Sequence, residues 1–176
     1  MKKISLFIAM SLDGYIADKY GKVDWLVSHS NDEEMIDTYG KFIENIDTVV
    51  MGYNTYQQII NELSPNEWVY EGLTSYVITH QELTSKENII FTNEMPVSLV
   101  RKLQQETGKG IWICGGASIV QQLIKEDVID EYYITVIPTI LGSGIRLFDN
   151  IDQKIKLKLT KSQSYNGMVD LVYTKR

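Results

Sequence analysis

Two adjacent glycines are the residues of this chain best suited, by type and position, to bind a ligand. Residues 110–114 form an apolar run long enough for a buried strand, and the run ends in Gly115 and Gly116. From Ala117 onward, apolar residues recur with the spacing of a helix. Because glycine has no Cβ, a ligand can approach the backbone closely there, and the amino terminus of a helix favours negative charge. The pattern indicates a phosphate-binding turn, although such a diglycine is more often a turn or packing device.

A second turn of similar design follows the β-branched run at residues 48–51. That run leads into Gly52, and Thr55 with Gln58 three residues later has the pattern of a capping box at the start of a helix. Two strand-to-helix turns side by side in a parallel sheet could hold the phosphates of a dinucleotide. Neither turn has the G-x-G-x-x-G or Walker pattern, which argues against a standard Rossmann domain and a P-loop nucleotidase.

Two aspartates are candidates for substrate binding or proton transfer. Asp13 precedes Gly14 in the loop after the first predicted strand, where open α/β sheets place their ligands, but an Asp-Gly pair also serves simply as a turn. Asp32 lies four residues before Ile36 in a predicted amphipathic helix, so its carboxylate is expected to face inward. That carboxylate either binds a polar ligand or only complements the helix dipole.

The chain offers few other groups for catalysis. Cys114 is the single cysteine, which rules out an internal disulfide and fits a reducing compartment. With two histidines and no Cys/His cluster, neither an activated thiol nor a metal site is expected, and Cys114 is interpreted as a small core residue. Phosphate-binding turns among few polar groups suit a reaction whose chemistry a cofactor supplies, such as hydride transfer.

Alternating strand and helix patterns predict the elements that position these residues. They indicate an α/β fold with a mostly parallel sheet covered on both faces. The Asn166-Gly167 turn signal predicts an antiparallel hairpin at one edge of the sheet. Helices are predicted at residues 32–46, 55–63, 96–105 and 117–125, and strands at 3–10, 48–51, 75–79, 89–92, 111–114, 131–137, 154–160 and 169–174.

Length and composition favour one domain over residues 1–176, since no linker-like stretch divides the chain. A formal net charge of −6 without an arginine cluster argues against a nucleic-acid partner. The apolar run after Lys3 is interpreted as the first strand rather than a secretion signal, and no segment approaches the roughly 18 apolar residues of a membrane span. A cytoplasmic protein without a membrane partner is therefore expected.

Five motifs, taken in order, carry a family resemblance over nearly the whole chain. They lie at residues 8–14, 50–56, 76–80, 113–118 and 138–148. Together they resemble the dihydrofolate reductase superfamily, in particular the branch that includes the C-terminal reductase domain of the bifunctional riboflavin-biosynthesis deaminase-reductase. The resemblance implies a dihydrofolate reductase-like three-layer α/β/α fold with a mostly parallel central sheet and an antiparallel C-terminal hairpin.

The resemblance also implies that the chain binds NADPH, with NADH as the alternative cofactor. Two positions would border the nicotinamide, four would hold the pyrophosphate at the first turn, two would approach the adenosine ribose and its phosphate, and four would close over the diphosphate. In that order they are Ala9 and Trp25; Gly52, Tyr53, Asn54 and Thr55; Thr79 and His80; and Gly115, Gly116, Ala117 and Ser118. Tyr53 replaces the Arg that is usual in dihydrofolate reductases and so removes a bidentate phosphate partner.

On the substrate side, the resemblance points to three residues. Asp32 lies in the helix that presents the pterin-binding carboxylate, Thr135 aligns with the hydrogen-bonding threonine, and Asp13 belongs to the substrate-side loop of the riboflavin branch. The implied function is transfer of hydride from NADPH to a small heterocyclic substrate, with Asp32 or Asp13 fixing the substrate or relaying a proton. The nearest analogies are 5-amino-6-(5-phosphoribosylamino)uracil reductase and dihydrofolate reductase. The alternative is a non-catalytic dinucleotide-binding sensor or interaction module, and a homodimer is the candidate assembly.

Overall fold

The fold is known from a computed structural model that describes residues 1–26, 37–149 and 151–176. Asp32, predicted as a substrate-binding residue, lies outside the described residues. Four α-helices are described, α1 to α4 in chain order: Thr38–Ile43, Tyr53–Gln58, Pro96–Gln104 and Ala117–Lys125. The strands β1 to β10 are Ile4–Ser11, Tyr15–Ala17, Ile46–Gly52, Thr74–Ile78, Ile89–Thr92, Gly110–Gly115, Glu131–Ile137, Ile145–Arg146, Leu157–Tyr165 and Met168–Lys175.

Eight of these strands form one sheet in the order β5-β4-β3-β6-β1-β7-β10-β9. The first six of that order are parallel to one another, whereas β10 pairs antiparallel with both β7 and β9. The predicted mostly parallel sheet with an antiparallel hairpin at its edge is therefore confirmed. Asn166 and Gly167 form the hairpin turn with φ angles of 49° and 74°, the left-handed conformation that the Asn-Gly signal requires.

Helices cover both faces of the sheet, as the alternating pattern predicts. On one face, α3 and α4 pack against alternate residues of β1, β6 and β7 in an aliphatic core. On the other face, α1 and α2 pack on a core rich in aromatic rings, in which Phe42 of α1 contacts Trp112 of β6 and Tyr133 of β7. We call these the aliphatic face and the aromatic face. No described helix has the length and apolar character needed to cross a membrane.

Several predicted boundaries are wrong. Ile46 does not end a helix but begins β3, because its side chain is buried against the sheet after the short helix α1. The helix after Gly52 begins at Tyr53 with Gly52 as its N-cap, so Thr55 does not cap it. The strand predicted at residues 154–160 is the longer β9, Leu157–Tyr165.

Two short strands, β2 and β8, were not predicted. They pair with each other outside the main sheet, and a Cβ on Gly144 just before β8 would lie 2.1 Å from the carbonyl oxygen of Ala17. This close approach requires glycine, and it ties the loop after β1 to the loop after β7.

Candidate functional site

The two predicted glycine turns lie side by side. We call residues 52–55 the first glycine turn and residues 115–118 the second. Strands β3 and β6 are neighbours, with Met51 paired to Gly115, and a Cβ on Gly52 would lie 3.9 Å from the backbone nitrogen of Gly116. Gly115 has a φ of 128°, which side chains rarely permit, and its peptide bond to Gly116 is cis. The sequence pattern alone could not establish this adjacency.

The connections that leave β3 and β6 run over opposite faces of the sheet. β3 leads into α2 on the aromatic face, whereas β6 leads into α4 on the aliphatic face. Neighbouring parallel strands whose helices diverge in this way leave a crevice at their carboxyl ends, which is where open α/β sheets bind ligands. Both glycine turns lie at this crevice.

The backbone amides at the crevice are suited to an anion. The N-caps of α2 and α4 are Gly52 and Gly116, and neither cap forms a side-chain hydrogen bond to its helix. The first N–H groups of a helix have no partner within the helix, and they carry partial positive charge. A phosphate group fits this donor set, because the two helix starts are neighbours and neither is capped by a side chain.

Strands β1 and β6 separate next to the second glycine turn. Their pairing ends at Leu6 and Ile113, although β1 continues to Ser11 along β7. Beyond Leu6, the backbone edge of β1 that faces β6 therefore has no strand partner among the described residues. Ala9 lies on this unpaired stretch, with its side chain on the aromatic face. The crevice thus extends from the glycine turns into the sheet.

The other predicted cofactor residues lie on the strands and turns next to the crevice and differ in their contacts. Thr79 directly follows β4, which pairs with β3 up to Gly52, so Thr79 and the exposed His80 lie at the same edge of the sheet as the glycine turns. The Tyr53 ring stacks on Tyr56 at 6.0 Å between centroids. Asn54 is exposed. Thr55 Oγ1 lies 3.5 Å from the position of a Cβ on Gly116.

Two residues on other elements, Trp25 and Arg146, complete the description of the predicted cofactor region. Trp25 lies in a short 3-10 helix, Asp24–Leu26, and donates from Nε1 to the carbonyl oxygen of Lys22 at 3.1 Å. Ala117 and Ser118 also line a cavity of about 490 Å³ together with Arg146, whose guanidinium lies 5.2 Å from the centre of the Tyr15 ring. Arg146 was not predicted as a site residue.

Asp13 holds two loops together. Its Oδ1 accepts hydrogen bonds from Ser11 Oγ at 2.6 Å and from the amide of Leu141 at 3.1 Å, and its Oδ2 accepts from the amide of Gly142 at 2.7 Å. The Ser11 hydrogen bond is the main reason that the pKa of Asp13 falls to about 2. These three hydrogen bonds within the protein favour the turn interpretation. A carboxyl with so low a pKa is also a poor proton donor at neutral pH.

Thr135 lies next to a buried carboxylate that sequence reasoning missed. Thr135 Oγ1 donates to Oδ1 of Asp170 at 2.7 Å, and Asp170 is 4% exposed. In register across β1, β7 and β10, Ala9 pairs with Thr135 and Thr135 pairs with Asp170. Asp170 also lines a cavity of about 680 Å³ beside α1. The sequence did contain a signal for this residue. Asp170 shares one face of its strand with the apolar residues Met168 and Val172, so its carboxylate stands at an inward position.

Cys114 is partly buried and packs against the core of the aromatic face. Its Sγ lies 3.6 Å from Tyr70 OH, and burial raises the pKa of the thiol to about 11. A thiol with this pKa remains protonated near neutral pH and is a weak nucleophile. No group of three or more metal-ligating side chains occurs within the described ranges.

The described topology and crevice define the class of protein: a dihydrofolate reductase-like α/β domain. The chain belongs to the RibD C-terminal domain family, whose model matches residues 2–171. The uncharacterized protein YwjB of Bacillus subtilis is 39% identical over 175 residues, covering 99% of this chain and 98% of that protein.

Solved structures agree with this family. A protein of Shewanella sp. PV-4, described as a candidate riboflavin biosynthesis protein, is 29% identical with a TM-score of 0.84 and 99% coverage of both chains. The Thermotoga maritima diaminohydroxyphosphoribosylaminopyrimidine deaminase/5-amino-6-(5-phosphoribosylamino)uracil reductase gives 15% identity and a TM-score of 0.70, covering 99% of this chain and 57% of that one. Dihydrofolate reductase from Enterococcus faecalis, complexed with NADP(H) and RAB-propyl, gives 17% identity and a TM-score of 0.68, with 98% and 96% coverage. The last two likenesses concern the fold.

Proposed function

We propose that this protein is an NADPH-dependent reductase that transfers hydride to a small heterocyclic substrate. The observation that carries the proposal is the adjacency of the two glycine turns at the switch point between β3 and β6. Reductases in the structural comparison support the reaction class, and the nearest analogies remain 5-amino-6-(5-phosphoribosylamino)uracil reductase and dihydrofolate reductase. NADH is the alternative cofactor, because Tyr53 brings no cation to the first glycine turn.

The chain's own residues would bind the cofactor mainly through backbone groups. The N–H groups of the two glycine turns would receive the diphosphate, and Thr79 and His80 would approach the adenosine end. Ala9 and Trp25 would border the nicotinamide, where the separation of β1 from β6 leaves room for a flat ring. When bound, the reduced nicotinamide supplies the hydride.

The contribution of the protein to the reaction would be positioning. Ala9 and Thr135 lie opposite each other on the aromatic face, so a ring held against Ala9 would have the Thr135 hydroxyl beside it. Asp13 would keep the loop after β1 closed against residues 141 and 142, which limits the access of water. Orientation of this kind accounts for a large part of the rate enhancement in reactions whose chemistry the cofactor performs.

A two-stage binding and turnover experiment tests the proposal. Addition of NADPH should quench the tryptophan fluorescence, because the described tryptophans include Trp25, which would border the nicotinamide, and Trp112 in β6. The absorbance of the reduced nicotinamide should then fall when candidate pterins or aminopyrimidines are added. Binding without substrate-dependent oxidation would favour the non-catalytic sensor or interaction module, and the absence of binding by either NADPH or NADH would refute both functions.

A further inference from the structure

A cavity of about 680 Å³ lies at the edge of the sheet opposite the crevice. Its walls include Lys2 and Lys3 just before β1, Lys109 just before β6, and Glu131 at the start of β7. These strands are parallel, so their amino ends share one edge of the sheet, and the glycine turns lie at the other. Residues of α1, β9 and β10 also line the cavity, which extends along the aromatic face. We call it the amino-end cavity.

Lysines dominate the charge of the amino-end cavity, although the chain as a whole carries a formal net charge of −6. The lining lysines are Lys2, Lys3, Lys41, Lys109 and Lys161, and the lining carboxylates are Glu131 and Asp170. A concave surface lined mainly by charges of one sign concentrates the electric field and attracts ions of the opposite sign. The cavity is therefore a positively charged concavity in an acidic protein.

Two of these lysines are neutralised within the protein. Lys2 Nζ lies 2.8 Å from Oδ1 of Asp47 in β3 and donates to Thr48 Oγ1 at 3.0 Å, and the Lys2 side chain is only 5% exposed. Lys3 Nζ lies 2.6 Å from Oε1 of Glu131 in β7. Both pairs tie the residues before β1 to other strands of the sheet. Their role is structural, and the charge of Glu131 is already balanced.

Asp170, the second lining carboxylate, is satisfied without a lysine. It is 4% exposed, and its two oxygens accept four hydrogen bonds from the side chains of Thr38, Thr135, Gln163 and Tyr165. A buried charge is costly unless hydrogen bonds of this kind satisfy it. The remaining lysines of the cavity are therefore not needed to balance Asp170.

The other three lysines have no carboxylate partner. Lys41 of α1, Lys109 and Lys161 of β9 form no ion pair among residues 1–26, 37–149 and 151–176. Lys109 Nζ donates to the carbonyl oxygen of Glu44 at 2.8 Å, which uses only one of the three N–H groups of its ammonium. These lysines come from three parts of the chain and line one cavity, so they bring three unbalanced positive charges to it.

A β-bulge directs one of these lysines to the cavity. In the pairing of β9 with β10, Lys161 lies opposite Val172 and Leu159 lies opposite Tyr173, so Thr160 is an extra residue. Thr160 Oγ1 donates to the carbonyl oxygen of Val172 at 3.0 Å. Regular alternation would place Lys161 on the same face as Leu159, whereas with the bulge both Thr160 and Lys161 line the cavity. Bulges that redirect a side chain in this way are common next to functional sites.

We propose that the amino-end cavity is an anion-binding site, separate from the crevice, that takes a phosphorylated small molecule with at least two negative charges. Lysine binds phosphate groups as a point charge, and three ammonium groups without carboxylate partners match the charge of a diphosphate. The volume of about 680 Å³ lies within the range of small-molecule sites. The inference goes beyond the proposed function and does not depend on it, because the two sites lie at opposite edges of the sheet.

Inorganic pyrophosphate is the probe, because it has the charge of such a ligand and no nucleoside. Its binding is measured by calorimetry at low ionic strength and again at physiological salt. The test variants are Lys41→Gln and Lys161→Gln. Lys158→Gln is the matched control, because Lys158 is an exposed lysine of the same strand that does not line the cavity. Gly52→Ala controls for the crevice, the other place where a pyrophosphate would bind.

The wild-type protein should bind pyrophosphate, and the affinity should fall as salt rises, because exposed charges are screened. Lys41→Gln and Lys161→Gln should each weaken binding at least about fivefold through the loss of a charge-assisted hydrogen bond. Lys158→Gln and Gly52→Ala should remain within about twofold of the wild type, since a remote surface charge contributes little. Saturating NADPH should not displace the probe. Both test lysines are exposed, so the variants should fold, and thermal denaturation checks this.

Four results would overturn the inference. The first is no binding of pyrophosphate by the wild type at low ionic strength, and the second is unchanged affinity in both test variants. The third is an equal loss in Lys158→Gln, which general attraction to a basic surface predicts. The fourth is loss of binding in Gly52→Ala or displacement by NADPH, which would assign the pyrophosphate to the crevice. Failure of the proposed function is separable, because absent NADPH binding would leave the dependence on Lys41 and Lys161 intact.

Discussion

Gly52→Ala, which adds a single methyl group, should weaken cofactor binding even when its cost in stability is relieved by a second substitution. The Gly52→Ala side chain would lie between the two glycine turns, 3.9 Å from the nitrogen of Gly116 and 3.2 Å from Cδ1 of Ile119. The backbone itself tolerates alanine, because Gly52 has φ −82° and ψ 161°. Any loss of affinity or stability must therefore come from the contacts of the methyl group and not from backbone strain.

The cost in stability follows from the contact with Ile119. Overpacking by one methyl group costs about 1–3 kcal/mol, and the low end, about 1 kcal/mol, is expected because the contacted atom is the end of a flexible side chain. Ile119→Val removes that atom and by itself should cost about 0.5–1.5 kcal/mol, since Ile119 is buried. In Gly52→Ala/Ile119→Val the clash is absent, so the double variant should be about as stable as Ile119→Val alone.

Cofactor binding should not recover in the double variant. The added methyl still occupies the space where a diphosphate would approach the backbone, so NADPH affinity should fall at least about tenfold, equivalent to about 1.4 kcal/mol, in both Gly52→Ala variants. Chemical denaturation measures the stability and fluorescence quenching measures the affinity, with Ile119→Val as the control that should bind normally. Unchanged NADPH affinity in Gly52→Ala, or full recovery in the double variant, would refute the placement of the diphosphate between the turns.

Three further predictions concern Phe42, Cys114 and Asp47. Phe42→Ala should destabilise the fold by about 3–5 kcal/mol in chemical denaturation, because its ring is buried among other rings, and an unchanged midpoint would contradict that packing. Cys114 should react with iodoacetamide at mildly alkaline pH at least about tenfold more slowly in the folded protein than in urea, because burial raises the pKa of its thiol, and equal rates would argue against burial. Partial burial raises the pKa of Asp47, but hydrogen bonds from Lys2 and from the Lys109 amide outweigh this effect and lower the pKa below 3.8. The ionised Asp47 therefore stabilises the folded protein at pH values above 3.8, and this contribution is lost as the pH falls through the pKa of the folded state. The stability difference between wild type and Asp47→Asn should therefore shrink in acid, and a constant difference would contradict this assignment.

The glycine turns could be predicted from the sequence because their signals are local. Gly52 and Gly115 each follow an apolar run, and parallel strands bring their carboxyl ends to one edge of the sheet. Their adjacency depends on β6 inserting between β3 and β1, which no local pattern encodes. The short strands β2 and β8 escaped prediction because two or three residues carry no usable periodicity.

The polar contacts of the site were harder to predict, because their partners are remote in the chain. The Leu141 amide that binds Asp13 lies 128 residues away, so the sequence left the turn and substrate interpretations of Asp13 both open. Asp170 lies 35 residues from Thr135, in a strand that the sequence predicts at residues 169–174. Only the register between β7 and β10 shows that these two side chains meet.

The separation of β1 from β6 is the feature that would extend the two glycine turns into the proposed dinucleotide site. If β1 stayed paired with β6 beyond Leu6, its backbone would fill the space beside the second glycine turn, where Ile8 Cδ1 already lies 3.8 Å from the Cβ position of Gly115. Trp112 Nε1 satisfies the carbonyl oxygen of Phe7 at 3.1 Å, just where the pairing stops. Among the described residues, no strand pairs with this edge of β1 beyond Leu6, and unpaired buried amides and carbonyls are costly. A flat ring with polar edges would supply such partners, which is the physical reason for placing the nicotinamide of the proposed cofactor at this strand.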